Sequence, residues 1–277
     1  MQSQAPSRYL PNPERLSVLT ATLLLAYALT RFVNLPDRVL TAHPLGILVS
    51  IHINVQTIIP LLLAGIMAAG TSWLLSDHPA LQGAAPREPG LEHWLLPAVV
   101  AWVIGIPLSQ APTGLQWMLG LFVGGVMLTL ILTAEYIAID SEDLRQPIAE
   151  AGLTAVSFAA YLVLAIALRA AETRLYLILP ALALTAGVVS LRTWHLRLGG
   201  EWALIEAGLV VIIIGQVAAA LHYWPLPSLS YGLALLGPAY AMTTLVTNMA
   251  QGATLRQALV GPLALLILTW GAAWWIR

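Results

Sequence analysis

Apolar stretches, each about long enough to cross a bilayer, alternate with short polar connections along the chain. This pattern predicts an all-α, polytopic transmembrane helical bundle of about nine spans, with eight as the alternative, and no soluble domain. Residues 1–15 are predicted to form a polar N-terminal tail, and residues 16–277 a single transmembrane domain. The predicted spans are Leu16–Val33, Leu45–Leu75, Trp94–Gln110, Leu115–Ile137, Ala149–Leu168, Leu175–Leu191, Trp202–Leu221, Leu229–Asn248 and Gln257–Ile276.

The second stretch, Leu45–Leu75, is too long for one straight span. As a single helix it would reach about 46 Å, against a hydrocarbon core of roughly 30 Å. Pro60 lies near its middle and lacks the N–H that a helical hydrogen bond needs, so we expect a kink there or a first half in the membrane interface. The segment 76–92 that follows contains several Pro and Gly residues, which predicts an exposed loop without regular structure.

Composition supports the membrane class and excludes several chemistries. The chain is 59% hydrophobic and 9% charged, whereas roughly a quarter of a soluble domain is charged. All 12 basic residues are arginine and there is no cysteine, which excludes a lysine Schiff base, a thiolate nucleophile and a disulfide. A net charge of −1 without a basic run gives no reason to expect a nucleic acid partner. The expected partners are the lipid bilayer and, as alternatives, another membrane protein or a second copy of the chain.

The arginines are distributed unevenly between the two predicted sides of the membrane. More of the 12 fall on the N-terminal side than on the other. The positive-inside rule then predicts a cytoplasmic N-terminus. The expected location is a bacterial inner membrane. The arginines on the N-terminal side are Arg8, Arg15, Arg87, Arg145, Arg192, Arg197 and Arg256.

Tryptophan and glycine positions predict how the spans are anchored and packed. Most tryptophans lie close to span ends, where an amphipathic ring suits the boundary between hydrocarbon and headgroups. Gly120 and Gly124 form a G-x-x-x-G pattern beside Gly125, which predicts a close approach of another helix. The tryptophans predicted to be anchors are Trp73, Trp94, Trp117, Trp194, Trp202, Trp224, Trp274 and Trp275.

Five ionisable residues near span ends form the first candidate site, on one predicted side of the membrane. A charge in hydrocarbon costs a few kcal/mol or more, so it usually has a partner or a purpose. Meeting in one polar pocket, these side chains could bind a cation, relay protons or hold a polar head group. The interpretation that we favour is structural, because charges at span ends can reach water or pair across helix ends. The five residues are Glu135, Glu150, Glu206, Arg192 and His195.

A second polar group, His52, Asn54 and Gln56, precedes Pro60. In a helix, His52 and Gln56 would share a face and could extend a polar lining into the bundle. The alternation of polar and apolar residues also fits an interfacial segment that is half in water, which is the interpretation we favour.

No cofactor, metal site or catalytic motif is predicted. A b-type haem between His52 and His222 is a hypothesis that we do not favour, because His222 falls in the turn after the seventh span. No H-E-x-x-H, P-loop or G-x-S-x-G motif occurs. The acidic run 140–143 could supply oxygen ligands to a divalent cation, but such a run is more often solvated.

The C-terminal sequence GPAYAMTTLVTNMAQG, followed by ATLRQALVGPLALLILTWGAAWWIR, resembles the end of an uncharacterised family of bacterial polytopic membrane proteins. The pattern consists of Gly237, Pro238 and Tyr240 on one helix, a loop ending near Arg256, and a last helix with Pro262 and a tryptophan-rich tail. This resemblance implies a multi-span bundle and supplies no catalytic residue.

Three classes of function remain for this integral membrane protein. A non-enzymatic membrane subunit or scaffold is favoured, because no catalytic constellation is found and the loops are short. The first alternative is a carrier or channel for a small solute or ion, built on the membrane-edge carboxylates. The second is an intramembrane enzyme that acts on a lipid or isoprenoid head group with the same carboxylates.

Overall fold

The computed structural model describes residues 10–33, 38–42, 49–53, 55–82, 90–112, 114–140, 143–198 and 200–276. These residues form nine α-helices and one pair of antiparallel strands, β1 (Arg38–Ala42) and β2 (Val49–Ile53). The predicted helical bundle is confirmed. The helices are α1 (Pro13–Leu29), α2 (Val55–Leu75), α3 (Leu91–Gln110), α4 (Leu115–Ala138), α5 (Gln146–Ala170), α6 (Leu175–Arg197), α7 (Leu204–His222), α8 (Ser228–Ala250) and α9 (Leu255–Trp275).

Eight of these helices, α2 to α9, are long and apolar enough to cross a membrane. Large apolar side chains are exposed along them, for example Phe122 at 69%, Ile205 at 79% and Ile267 at 71%. Exposed apolar side chains on so many helices need a nonpolar solvent such as lipid. The chain is therefore a multi-pass membrane protein. The described residues contain eight candidate spans, which was the alternative to the predicted nine.

Helix α1 is the shortest member of the bundle. Its 17 residues rise by about 26 Å, which is less than the hydrocarbon core of roughly 30 Å. It ends at Leu29, before the predicted end of the first span. Leu19, Leu23 and Tyr27, spaced four residues apart, are buried on one face, and the helix packs against α2 and α4.

The segment before α2 differs from the prediction of one long helical stretch. The helix begins only at Val55, and the residues before it pair as β2 with β1. Ile51 and Ile53 alternate with polar residues, a period of two that is typical of a strand. The prediction that His52 and Gln56 share a helix face is wrong, because His52 lies in β2 and Gln56 in α2.

The chain divides into two compact units, Met1–Val156 and Ser157–Arg277, with the boundary inside α5. In the first unit α2 packs along α3, and α4 packs against α1 and α3. In the second unit α6 packs along α7, and α8 packs along α9 and also against α6 and α7. That residues 16–277 form a single domain stays a prediction.

Glycines of α4 allow the close helix packing in the first unit. A Cβ at Gly124 would lie 2.9 Å from Ile104 Cγ2 of α3, and one at Gly125 would lie 2.9 Å from Leu24 Cδ1 of α1. Both distances are too short for ordinary carbon contacts, so a larger residue would push the helices apart. The close contact predicted from the G-x-x-x-G pattern is therefore confirmed.

Pro60 lies inside α2, and its side chain is buried. A Cβ at Gly105 of α3 would lie 2.8 Å from both Cβ and Cγ of Pro60. The glycine thus lets α3 pack directly on the proline ring. The predicted kink at Pro60 stays a prediction.

Candidate functional site

One end of the first unit gathers ionisable side chains from three helix ends. The C-terminal ends of α2 and α4 meet the N-terminal end of α3 there. Most of these residues lie in connections or first turns, as expected where helices emerge from the membrane. The residues are Asp77, His78, Glu92, His93, Glu135 and Asp140.

Glu135 is the most buried of them, with a side-chain exposure of 0%. Its Oε2 lies 2.9 Å from Nδ1 of His93, which is in the first turn of α3 and 14% exposed. Removing a carboxylate from water costs several kcal/mol unless a partner compensates. The imidazole is such a partner. The pair can exist as an ion pair or as a neutral hydrogen-bonded pair, and the two forms differ only in the position of one proton.

The second ring nitrogen of His93 faces a less buried carboxylate. Its Nε2 lies 4.0 Å from Oε1 of Glu92, whose side chain is 26% exposed. This separation exceeds a direct hydrogen bond and suits one mediated by water. His93 therefore stands between the buried carboxylate of Glu135 and the more accessible carboxylate of Glu92. An imidazole can accept a proton on one nitrogen and release one from the other.

His78 adds a second histidine at the same end, in the connection that follows α2. It is 6% exposed, and its ring centre lies 4.4 Å from that of Tyr136, the neighbour of Glu135. The backbone N–H of Ala80 donates to Nδ1 of His78 at 3.1 Å, which requires that nitrogen to be unprotonated. Burial lowers the pKa of His78, and Asp140 partly opposes this effect. We infer that His78 is neutral at pH 7.

An ion pair fixes α1 to this end of the first unit. Nη2 of Arg15 lies 2.8 Å from Oδ2 of Asp77, and its Nη1 donates to the carbonyl oxygen of Trp73 at 2.8 Å. The guanidinium carbon also lies 4.8 Å from the centre of a Trp73 ring. Both charged side chains are partly exposed, so the pair mainly orients the helix ends and contributes little to stability.

Glu150, a predicted site residue of the first unit, is half-buried near the start of α5. Nε2 of Gln146 donates to its Oε1 at 2.6 Å, a contact between neighbours one turn apart in the same helix. The structural role favoured for Glu150 stays a prediction.

The other three predicted residues belong to the second unit. Arg192 lies on α6, and its exposed fraction is 1%. The ring centre of His195 lies 4.5 Å from that of Trp202. Glu206 is half-buried in the first turn of α7. Glu135 and Glu150 belong to the first unit. That all five side chains meet in one pocket stays a prediction.

Trp194 of the second unit is not an interfacial anchor. It is 0% exposed, and its Nε1 donates to the carbonyl oxygen of Thr243 on α8 at 2.9 Å. The hydroxyls of Ser190 and Thr243 are 2.7 Å apart in the same region. The anchor prediction is wrong for this tryptophan because its indole N–H has a partner inside the protein.

The second polar group lies largely outside the described residues. Asn54 is outside them, as are the side chains of His52 and Gln56. The hypothesis of a haem between His52 and His222 is therefore untested, although His222 is now placed in the last turn of α7. Within the described part of the chain, no group of three or more His, Asp or Glu side chains could hold a metal ion.

Comparison with known protein families relates most of the chain to one family. The profile described as "Protein of unknown function (DUF5656)" matches residues 34–276. The chain belongs to the DUF5656 family. Searches of curated proteins and of solved structures found no significant match. The expected resemblance to a family of unknown function is thereby confirmed, and it extends from the C-terminal helices to most of the chain.

In this DUF5656 protein, the sequence analysis missed His78 and His93, the two histidines at this end of the first unit. His93 falls one residue before the predicted third span, and His78 falls in the segment predicted to be an irregular loop. The available signal was the adjacent pair of Glu92 and His93 at the start of an apolar stretch. Their relation to Glu135 depends on which helix ends meet, and a single sequence does not give that information.

Proposed function

We propose that this DUF5656 protein is a proton-linked carrier of a small solute or ion, and that Glu135 and His93 form its proton-binding site. We also propose that it resides in a bacterial inner membrane with its N-terminus in the cytoplasm. With this orientation, Glu92 and His93 lie at the cytoplasmic end of the first unit.

The observation that carries the proposal is the position of His93 between two carboxylates. Its Nδ1 is 2.9 Å from the fully buried Glu135, and its Nε2 is 4.0 Å from the partly exposed Glu92. The imidazole thus lies between a buried proton acceptor and a carboxylate that water can reach, which supports a proton route to the membrane surface.

Proton transfer at this pair would change the contact between α3 and α4. In the ion-pair form, Glu135 and His93 attract each other strongly in surroundings of low dielectric constant. Protonation of both groups removes the negative partner and leaves a positively charged imidazole, which favours a different separation of the two helix ends. Such a difference between two protonation states is what couples proton binding to a conformational change.

The first experiment tests whether Glu135 exchanges a proton at all. Infrared difference spectra of the purified full-length protein, recorded between about pH 5 and 8, report carboxyl protonation in the range where histidine normally titrates. We expect a protonated-carboxyl band that changes with pH in the wild type and is absent in Glu135→Gln. Glu150→Gln is the matched control, since it removes a half-buried carboxylate of the same unit outside the pair.

The second experiment tests transport. The protein is reconstituted into vesicles with an internal pH dye, and a panel of small solutes is added under an imposed pH gradient. We expect at least one solute class to drive proton movement in the wild type and in Glu150→Gln, but not in Glu135→Gln or His93→Gln. The variants are compared at equal abundance and with equal elution from a sizing column.

A non-enzymatic subunit or scaffold predicts the opposite results. The Glu135 carboxyl would keep one protonation state across the whole pH range, and Glu135→Gln would change only stability or assembly. That outcome would overturn the carrier proposal.

A further inference from the structure

A cleft of about 670 Å³ opens at one end of the second unit. It lies where the connection between α5 and α6 approaches the connection between α7 and α8. Four ionisable side chains line it, and three of them can be cationic. They are Arg169, Glu172, Arg174 and His222.

Arg169 is held in a fixed position beside this cleft. Its Nη1 donates to the carbonyl oxygen of His222 at 3.1 Å, and its Nη2 donates to that of Trp224 at 3.2 Å. The guanidinium carbon also lies 5.3 Å from the ring centre of Tyr231. Carbonyl groups and an aromatic ring orient a guanidinium without neutralising its charge. Among the described residues, no carboxylate lies within 4.0 Å of this side chain.

Two helix N-termini add further positive potential. Arg174 is the N-cap residue of α6 and Pro227 that of α8, and neither cap makes a side-chain hydrogen bond to the helix. Leu175 and Ser228, the first residues of these helices, both line the cleft. The backbone N–H groups of a first helical turn favour anions. Here they supplement two arginines in one cavity.

The surroundings place the cleft at the level of lipid headgroups. Tyr223 and Trp224, which follow α7 directly, are 79% and 49% exposed. Exposed aromatic residues at a span end are typical of the membrane interface. A basic pocket between helix ends at this level is suited to a lipid phosphate.

We propose that this cleft binds a phosphate group, either in a lipid headgroup or in a soluble phosphate compound. Arginine suits the ligand because its planar fork can donate two parallel hydrogen bonds to phosphate oxygens. Arg169, Arg174 and Glu172 together contribute a formal charge of +1 to the lining. That charge matches a phosphodiester, which carries one negative charge, better than a phosphate dianion. The lipid is therefore the expected source of the group.

The test uses the purified full-length protein in neutral detergent, with two arms. In the first arm, phosphatidylglycerol is compared by native mass spectrometry with diacylglycerol of the same chains, which lacks the phosphate. In the second arm, inorganic phosphate is titrated against sulfate-free, lipid-depleted protein, and its effect on thermal stability is measured. Binding in the first arm alone identifies a lipid headgroup, and saturable binding in the second identifies a soluble source.

The variants connect either result to the cleft. We expect Arg174→Gln and Arg169→Gln each to weaken phosphate binding about tenfold, as the loss of a charged hydrogen bond implies. Arg256→Gln is the matched control, because it removes an exposed arginine from the first turn of α9, at the other end of the same unit. Arg174 is also exposed, so its variant keeps the test valid if Arg169→Gln fails to fold.

Two outcomes would overturn the proposal. One is the absence of any preference for phosphatidylglycerol over diacylglycerol together with no saturable effect of phosphate. The other is an equal loss of binding in Arg256→Gln and the two cleft variants, which would indicate nonspecific attraction to basic residues.

Discussion

In the first unit, the carboxylate of Glu135 is fully buried and is compensated by His93 at 2.9 Å. In the second unit, the guanidinium of Arg169 is held by two backbone carbonyls and an aromatic ring. Histidine can gain or lose a proton near neutral pH, whereas arginine keeps its charge at any physiological pH. The first arrangement can switch between states, and the second presents a permanent charge.

This difference separates the two proposed roles. A site that takes up and releases protons needs groups whose charge changes, and the end of the first unit contains two histidines with carboxylates nearby. A site that holds a phosphate group needs a charge that does not change, and the cleft of the second unit contains two arginines. Experiments that change one kind of charge and leave the other intact can therefore test the comparison.

The largest effect is expected from removing the partner of the buried carboxylate. His93→Ala leaves Glu135 without its imidazole and should lower the free energy of unfolding by about 3–5 kcal/mol. Denaturant titration of the full-length protein in micelles, followed by tryptophan fluorescence, measures this change.

A double variant separates the charge effect from lost packing. Glu135→Gln combined with His93→Ala should recover part of the lost stability, because no charge is then left buried.

Arg169→Gln in the second unit leaves no buried charge behind. We therefore expect it to lower the free energy of unfolding by less than His93→Ala does. If Arg169→Gln and His93→Ala lower the free energy of unfolding by the same amount, the contrast between the units is wrong.

The membrane class and most of the spans could be predicted because they depend on the length of apolar runs alone. Glu135 could be singled out as a candidate, since a charge inside such a run is visible in the sequence. The pairing of Glu135 with His93 could not be predicted in the same way. It arises where the end of α4 meets the start of α3, and apolar periodicity does not determine which helix ends meet.

Other differences have local physical causes. The strand β2 runs almost directly into the apolar residues of α2, so its period-two pattern was included in the predicted span. Trp194 lies close to a span end and resembles an anchor in the sequence, but its indole N–H donates to Thr243 inside the second unit. In both cases the deciding factor is a hydrogen-bond partner on another element of the structure, which the apolar pattern does not identify.

A smaller effect is expected from pH at His78. Because its folded-state pKa is lowered, the unfolded chain binds a proton more readily, and stability falls as pH drops through the ordinary histidine pKa of about 6.5. Protonation would also end the acceptor role of Nδ1 towards Ala80 N–H. Protection factors for hydrogen exchange of residues 76–82, which correct for the intrinsic pH dependence of amide exchange, should therefore fall between about pH 7.5 and 5.5, on either side of that value.

His78→Asn is the matched variant for this prediction. Asparagine can accept the same hydrogen bond from Ala80 with its Oδ1, but it does not titrate. We expect the loss of protection at low pH to disappear in this variant. If it remains, protonation of another group causes it, and His93 would be the next residue to test.

The smallest effect concerns the end of α5, beside the cleft of the second unit. Glu172 has a φ of 50°, a left-handed conformation that favours glycine. Its N–H donates to the carbonyl oxygen of Arg169, and the next N–H donates to that of Leu168. Helix α8 ends with the same hydrogen-bond pattern, but there the left-handed residue is Gly252, with a φ of 83°.

Replacing Glu172 by glycine should therefore remove backbone strain and raise the free energy of unfolding by up to about 1 kcal/mol. Gly252→Ala, the reverse change at the equivalent position, should lower it by a similar amount.

Glu172→Gly also removes the negative charge of Glu172 from the cleft lining. This variant should therefore bind anionic phosphatidylglycerol more tightly than the wild type does. If Glu172→Gly is more stable than the wild type but binds phosphatidylglycerol equally well, Glu172 acts only at the end of helix α5. Its carboxylate would then have no influence on how the cleft binds phosphate.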